Sequence, residues 1–396
     1  MRGWRYAAAG SRDLRLDFLR GYLIFAMVVD HIGEGSWLHA ITGGDRFVIS
    51  AAEGFVFLSG LVMGMVYRRV IQRDGLVSAA RKALGRGAKL YLLHVGLTLG
   101  FVTASYLTRA FWFEPIQDEV SYVVDVLTLR QTYYITDVIH LYTVLVLTSP
   151  LALLLLARGR TSLLLLASWL LWLVYQWCPW ELTSISGNIA FPAAAWQIFF
   201  FVGLAIGYHR AAVGAFLGRI PTIVAAPLLG AVALILFAQH LSGNTLLPAD
   251  SWTGHSYSDI FYKWDVRPGR LLAAAVFFPL AYLLVTVAWR PLLAGLGWFL
   301  LPLGQNSLLA YSAHIPIVLV AATVLPQVGL EGPNPGANSA IQLAGVALAW
   351  GVVRARTLVP AILAQPSTDS PPSSRTDVAG ETPLREAGRA VTINPQ

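Results

Sequence analysis

The chain has 396 residues, 56% hydrophobic and 12% charged, with a formal net charge of +7. Soluble domains carry about 25% charged residues, so half that fraction around repeated membrane-length apolar runs excludes a soluble domain and predicts an all-α polytopic integral membrane protein. The single cysteine, Cys178, excludes an internal disulfide and a multi-cysteine metal site, no metal is expected, and the positive-inside rule accounts for the charge without nucleic acid.

Length and apolarity predict ten transmembrane helices: 14–33, 47–67, 88–108, 134–157, 161–178, 191–208, 221–240, 270–288, 298–324 and 339–358. A β-barrel would instead show alternating segments of ~10 residues. The first run follows a basic start (Arg2, Arg5, Arg12, Arg15) but contains Arg20, Asp30 and His31, so it reads as a retained helix, not a cleaved signal. Arg20 and His31 are eleven residues apart. At about 100° per residue they lie within ~20° of one another on one stripe, about 16 Å apart along the axis. Asp17, three residues before Arg20, can pair with it, and Asp30 faces another way.

The second span brings Glu53 into the bilayer. The stretch after it is the densest basic segment: Arg68, Arg69, Arg73, Arg81, Lys82, Arg86 and Lys89. It reads either as a topology signal contacting anionic lipid or as a phosphate-binding surface, since guanidinium forks match phosphate geometry. Residues 109–133 and 241–269 are too long for minimal turns and mix aromatic with acidic residues. The first has Phe111, Trp112, Phe113, Glu114 and Asp125; the second has Trp252, His255, Tyr257, Asp259, Lys263, Trp264 and Asp265. Such segments suit either an interfacial aromatic belt or a sugar, whose apolar faces stack on rings. The fourth span opens with Asp137 and His140, and the ninth, expected to kink at Pro302 and Pro316, carries Gln305, Asn306, Ser307 and His314. Twenty-one of the 28 Lys and Arg fall on one set of alternate connections, six on the other and Arg20 within a span, which predicts N-in and C-in. The organisation expected is a cytoplasmic segment 1–13, a transmembrane domain 14–358 and a disordered Pro/Ser/Thr-rich cytoplasmic tail 359–396.

Rise per residue puts His31 about 22 Å into its span, and Glu53 and His140 ~9 Å in from the opposite face. His314 falls in the same outer half. Ionisable groups inside a bilayer are costly, so four spans converging on one layer mark a candidate site. Its chemistry is open at this point: an acid/base centre, or a substrate or proton relay in a transporter or flippase of a sugar-containing molecule.

The string Arg12-Asp-Leu-Arg-Leu-Asp-Phe-Leu-Arg-Gly21 followed by His31 resembles the opening of the membrane acyltransferase type-three superfamily, whose hallmark is an Arg, ten residues and a His. Glu53-Gly-Phe-Val-Phe-Leu-Ser-Gly60 resembles its second-span signature. Asp17-Phe-Leu-Arg-Gly21, Asp30-His31, Asp137-Val-Ile-His-Leu-Tyr142 and Gly304-Gln-Asn-Ser-Leu-Leu-Ala-Tyr-Ser-Ala-His314 look most like its OpgC branch. The superfamily's Arg-x-x-Arg after the second span is replaced by Arg86-Gly-Ala-Lys89. The resemblance covers residues 12–358 and implies a bacterial inner-membrane O-acyltransferase that uses cytoplasmic acyl-CoA, succinyl-CoA in this branch, as co-substrate without a bound cofactor, and decorates a periplasmic glucan. On this expectation His31, oriented by Glu53 and aided by His314, performs the transfer. Arg20, Arg69, Arg73, Arg86 and Lys89 hold the donor phosphates, and Asp137, His140, Trp264 and Asn306 contact the acceptor or, for Asn306, the developing oxyanion.

Overall fold

The structure is a computed structural model describing residues 12–33, 35–44, 47–109, 116–133, 135–242, 257–327 and 334–363. Phe111, Trp112, Phe113, Glu114, Trp252, His255 and the tail beyond 363 lie outside the described residues. The chain divides into the unit Met1–Arg356, treated below, and the unit Thr357–Gln396, of which only the end of the last helix is described.

Every regular element among the described residues is a helix: α1 (Leu14–His31), α2 (His39–Thr42), α3 (Ala51–Thr108), α4 (Glu119–Leu127), α5 (Asp137–Ala157), α6 (Thr161–Trp177), α7 (Pro179–Ser186), α8 (Ala193–Tyr208), α9 (Arg210–Leu217), α10 (Thr222–Leu241), α11 (Tyr257–Ile260), α12 (Pro268–Val287), α13 (Trp289–Gln305), α14 (Ser307–Gln327) and α15 (Pro335–Leu363). Six of them (α3, α5, α10, α12, α14, α15) are long and apolar enough to span a bilayer. The count rises to eight if the bent pairs α6–α7 (113°) and α8–α9 (85°) each make one span.

This differs from the ten spans expected. Segments 47–67 and 88–108 belong to one 58-residue element, α3. The basic stretch between them is itself helical and leaves helical geometry only at Gly75, whose φ of 82° and ψ of 168° favour glycine. The expected kinked span 298–324 is two helices, α13 and α14, parted at Asn306, while Pro302 and Pro316 lie inside them. The Asn306 side chain donates to Pro302 O at 3.1 Å, a local bond that offers the backbone an alternative to a continuing helix.

Local chemistry explains the starts of the two helices that matter most. Asp13 caps α1 by accepting from Arg15 N, and Ser50 with Glu53 forms a capping box on α3. Close packing then relies on small residues. Gly60 and Gly64 of α3 face Gly203 and Gly207 of α8, and a Cβ on Gly60 would fall 2.0 Å from Phe200 O. Gly21 and Gly304 do the same for α1 and α13. Arg20 meets Ser307 and His31 meets His314, so α1 and α14 run in the same direction. The second half of α3 runs antiparallel to α5, with Gly87 against Leu147, His94 against His140 and Thr98 against Thr136. The far end of α1 is closed by α15, where Gln342 donates to Ile32 O and Asn338 to Gly35 O, each at 2.9 Å.

Candidate active site

Parallel packing of α1 and α14 places His31 Nδ1 3.1 Å from His314 Nε2, with the rings stacked at 5.3 Å between centroids. His314 is buried, and its Nδ1 bonds to Tyr311 O one turn earlier. A carbonyl only accepts, so His314 Nδ1 carries the proton and its Nε2 accepts from His31 Nδ1–H. Neutral His31 is thereby held with an unprotonated Nε2. Among the described residues that atom has no protein partner, and His31 is only half-buried. Such an imidazole can take a proton from an incoming hydroxyl.

Tyr311 is the wall of this site. Its ring lies 4.6 Å from that of His314, its hydroxyl donates to Ile135 O at 2.7 Å, and it stacks on Phe55. Lys263 holds its ammonium 4.5 Å above the Trp264 ring and 5.9 Å from the centre of the Phe191 ring.

The other end of the stripe is cationic. Arg20 donates to Ser307 Oγ, stands 3.8 Å from Asp17, and keeps its Nε buried without a hydrogen bond. Asp17 binds Arg12 more closely, at 2.6 and 2.9 Å, which holds that guanidinium above its ordinary pKa. Arg86 and Tyr142 are within electrostatic range of Arg20, and Arg86 is exposed. Arg73 is tied to Asp74 at 2.8 Å, with Lys82 on the same carboxylate, and lines a surface recess with Arg69. Lys89 is exposed.

One expected contact is corrected. Glu53 does not orient His31: it is fully buried, pairs with Arg270 at 2.8 Å and accepts from Ser50 N at 2.9 Å. A carboxylate inside a bundle needs a cation, and α12 supplies one, so His314 takes the orienting position. Asn306 lies at the Arg20 end, next to Ser307, because α14 starts there; eight residues of helix, about 12 Å, separate it from His314.

The remaining acceptor candidates surround other contacts. His140 is fully buried, with Nε2 on Leu129 O at 3.1 Å and Nδ1 accepting from Asn188 at 3.2 Å. Asp137, half-buried, stands in the first turn of α5, and its carbonyl accepts from Asn188 at 2.9 Å. Trp264 packs edge-on to Phe191, and its carbonyl accepts from Trp196. The sequence did not single out Tyr311, Arg270 or His94, and it offered Ser307 only as part of a polar cluster. Tyr311 precedes His314 by three residues, the spacing of helix-face neighbours, and a buried Glu53 by itself called for a cationic partner.

A helical membrane bundle with an oriented imidazole at one level and an arginine deeper on the same helix has the makings of a membrane group-transfer protein. The chain belongs to the OpgC protein family, whose model matches residues 12–360. Membership makes it a glucan-modifying, acyltransferase-like membrane protein. No curated protein and no solved structure matches it.

Proposed function

We propose that the protein transfers an acyl group, succinyl in this reading, from cytoplasmic acyl-CoA to a hydroxyl of a periplasmic glucan across the bacterial inner membrane. The observation that carries this is the oriented His31–His314–Tyr311 carbonyl chain, with Arg20 about 16 Å away on the same helix face. The nucleotide phosphates rest near Arg20 and Arg86, and the pantetheine arm follows the α1 stripe to His31. Tenfold rate differences correspond to about 1.4 kcal/mol, so a well-placed base alone accounts for several kcal/mol of the barrier.

His31 Nε2 takes the hydroxyl proton as the oxygen attacks the thioester carbon. The new C–O bond forms, the C–S bond breaks, and the proton passes from His31 to the departing thiolate to give CoA thiol. His314 Nε2 accepts from His31 Nδ1–H throughout and so stabilises the imidazolium.

The test is incubation of purified protein with succinyl-CoA or acetyl-CoA and a glucan, reading free thiol and the mass of the glucan. Acylated glucan with stoichiometric thiol supports the reading. Its absence, with glucan instead crossing the membrane of a proteoliposome, supports a transporter. A thiol burst from donor alone would replace direct transfer by an acyl-His31 intermediate.

A further inference from the structure

A cavity of about 1350 Å³ lies along a different face of α1 from the histidine pair, between α1, α3, α8, α10 and α12. Leu16, Leu19, Leu23 and Ala26 form its α1 wall, whereas Arg20, His31 and His314 do not reach it. It exceeds the ~300–1,000 Å³ of small-molecule pockets, and its lining is mainly apolar. It runs from Asp13, Arg210 and Tyr282 at the start of α1 to Thr42 and His240 at the opposite end. Protein interiors pack to crystal-like density, so an apolar space of this length is built around an occupant. The wall formed by α10 explains the space. Its buried Ala225 packs on Leu283, and its Leu236 on Ala273 and Val48, leaving a gap toward α1 and α8.

The charge at one end says what the occupant is. Arg15 engages both oxygens of Asp13, at 2.9 and 2.8 Å, and also bonds Tyr282 and Thr286. Arg210 reaches the same Asp13 Oδ2 at 2.5 Å. Two guanidiniums therefore meet on one carboxylate, and the Arg210 side chain is 41% exposed at the cavity's end. Arg210 begins α9, which turns 85° from α8. Val213 and Leu217 of α9 line the cavity beneath it.

We propose that this cavity binds one membrane phospholipid with an anionic headgroup, its phosphate at Arg210 and its acyl chains between α1, α10 and α12. The site is independent of the acyl-transfer reading, since it shares no residue with the histidine pair or Arg20.

The experiment is native mass spectrometry of the full chain released from nanodiscs containing equal phosphatidylglycerol and phosphatidylcholine. One retained lipid, enriched in phosphatidylglycerol, is expected. Arg210→Ala should lower that enrichment about fivefold. Ala275→Trp, projecting into the cavity, should remove the retained lipid. A phosphatidylglycerol with a photoreactive acyl chain should crosslink to α10 and α12 in the unmodified protein, which tests the site even where the tryptophan variant misfolds. No retained lipid, equal retention of both lipids, or crosslinks confined to other helices would overturn the proposal. Displacement of the lipid by added acyl-CoA would overturn it too and make the cavity the donor's passage.

Discussion

The bundle contains two histidine pairs, and only one is built like a reactive centre. His31–His314 and His94–His140 both bring imidazoles from different helices to about 5 Å between ring centroids. In the second pair both rings are fully buried, and His140 spends both nitrogens, one on Leu129 O and one on Asn188. His94 Nδ1 lies 3.3 Å from the Thr98 hydroxyl, which continues to Thr136, and its Nε2 has no hydrogen-bond partner among the described residues but is sealed in the interior. In the first pair one ring is buried and anchored while the other is half-buried with a free Nε2. Proximity of two histidines thus says little. A directed chain of hydrogen bonds that ends on an open nitrogen is what permits proton transfer.

The largest effect that tests this contrast is expected from His31→Ala, which should lower acyl transfer by about 10²–10⁴-fold while the protein remains folded in membrane. Thiol release with and without glucan reads it directly. Activity within a few-fold of the starting protein would remove His31 from the chemistry. Next comes His314. His314→Ala should lower kcat by about 10²-fold, and His314→Gln by about tenfold, because a glutamine carbonyl can still accept from His31 Nδ1–H and keep the tautomer. Equal losses in both variants would mean that His314 only fills space.

Arg20 sharpens the comparison from the other side, since it lies eleven residues before His31 on the same helix and meets Ser307 of the helix that carries His314. Arg20→Ala should raise the donor KM about tenfold, with a smaller change in kcat, as expected when a phosphate contact is lost from ground state and transition state alike. Arg20→Lys should recover part of the affinity, because charge is kept while the guanidinium fork is lost. A purely structural Arg20 would change protein yield and melting but not the donor KM.

The parts legible in the sequence were those governed by period along one helix. The Arg20–His31 stripe and the shared level of His31 and His314 follow from rise and rotation per residue, and the structure has both in place. The parts that were not legible depend on distant partners or on a local break. Glu53 and Arg270 are 217 residues apart, and no pattern within either segment shows that they meet. The division of residues 298–324 into two helices at Asn306 was not legible either, since the prolines expected to kink the span lie inside the two helices. The basic stretch was legible as charge but not as shape, because Gly75 alone interrupts a helix where a loop was expected. For His140, position along a helix does not reveal whether a nitrogen is free, and both of its nitrogens are bonded.

That last point leads to the smallest effect. If the His94–His140 pair is structural, its loss should appear in stability and not in turnover. His140→Ala removes an acceptor for Asn188 and a donor to Leu129 O, leaving buried polar groups unmatched, which costs about 1–3 kcal/mol. Thermal melting in detergent should fall, while transfer per folded molecule stays within about twofold. His140→Gln, which can still donate to one group and accept from another, should recover part of the melting temperature. A loss of turnover that persists in the stable glutamine variant would show that this pair, too, handles protons or holds the glucan, and the distinction between an open and a closed imidazole pair would no longer identify the active site.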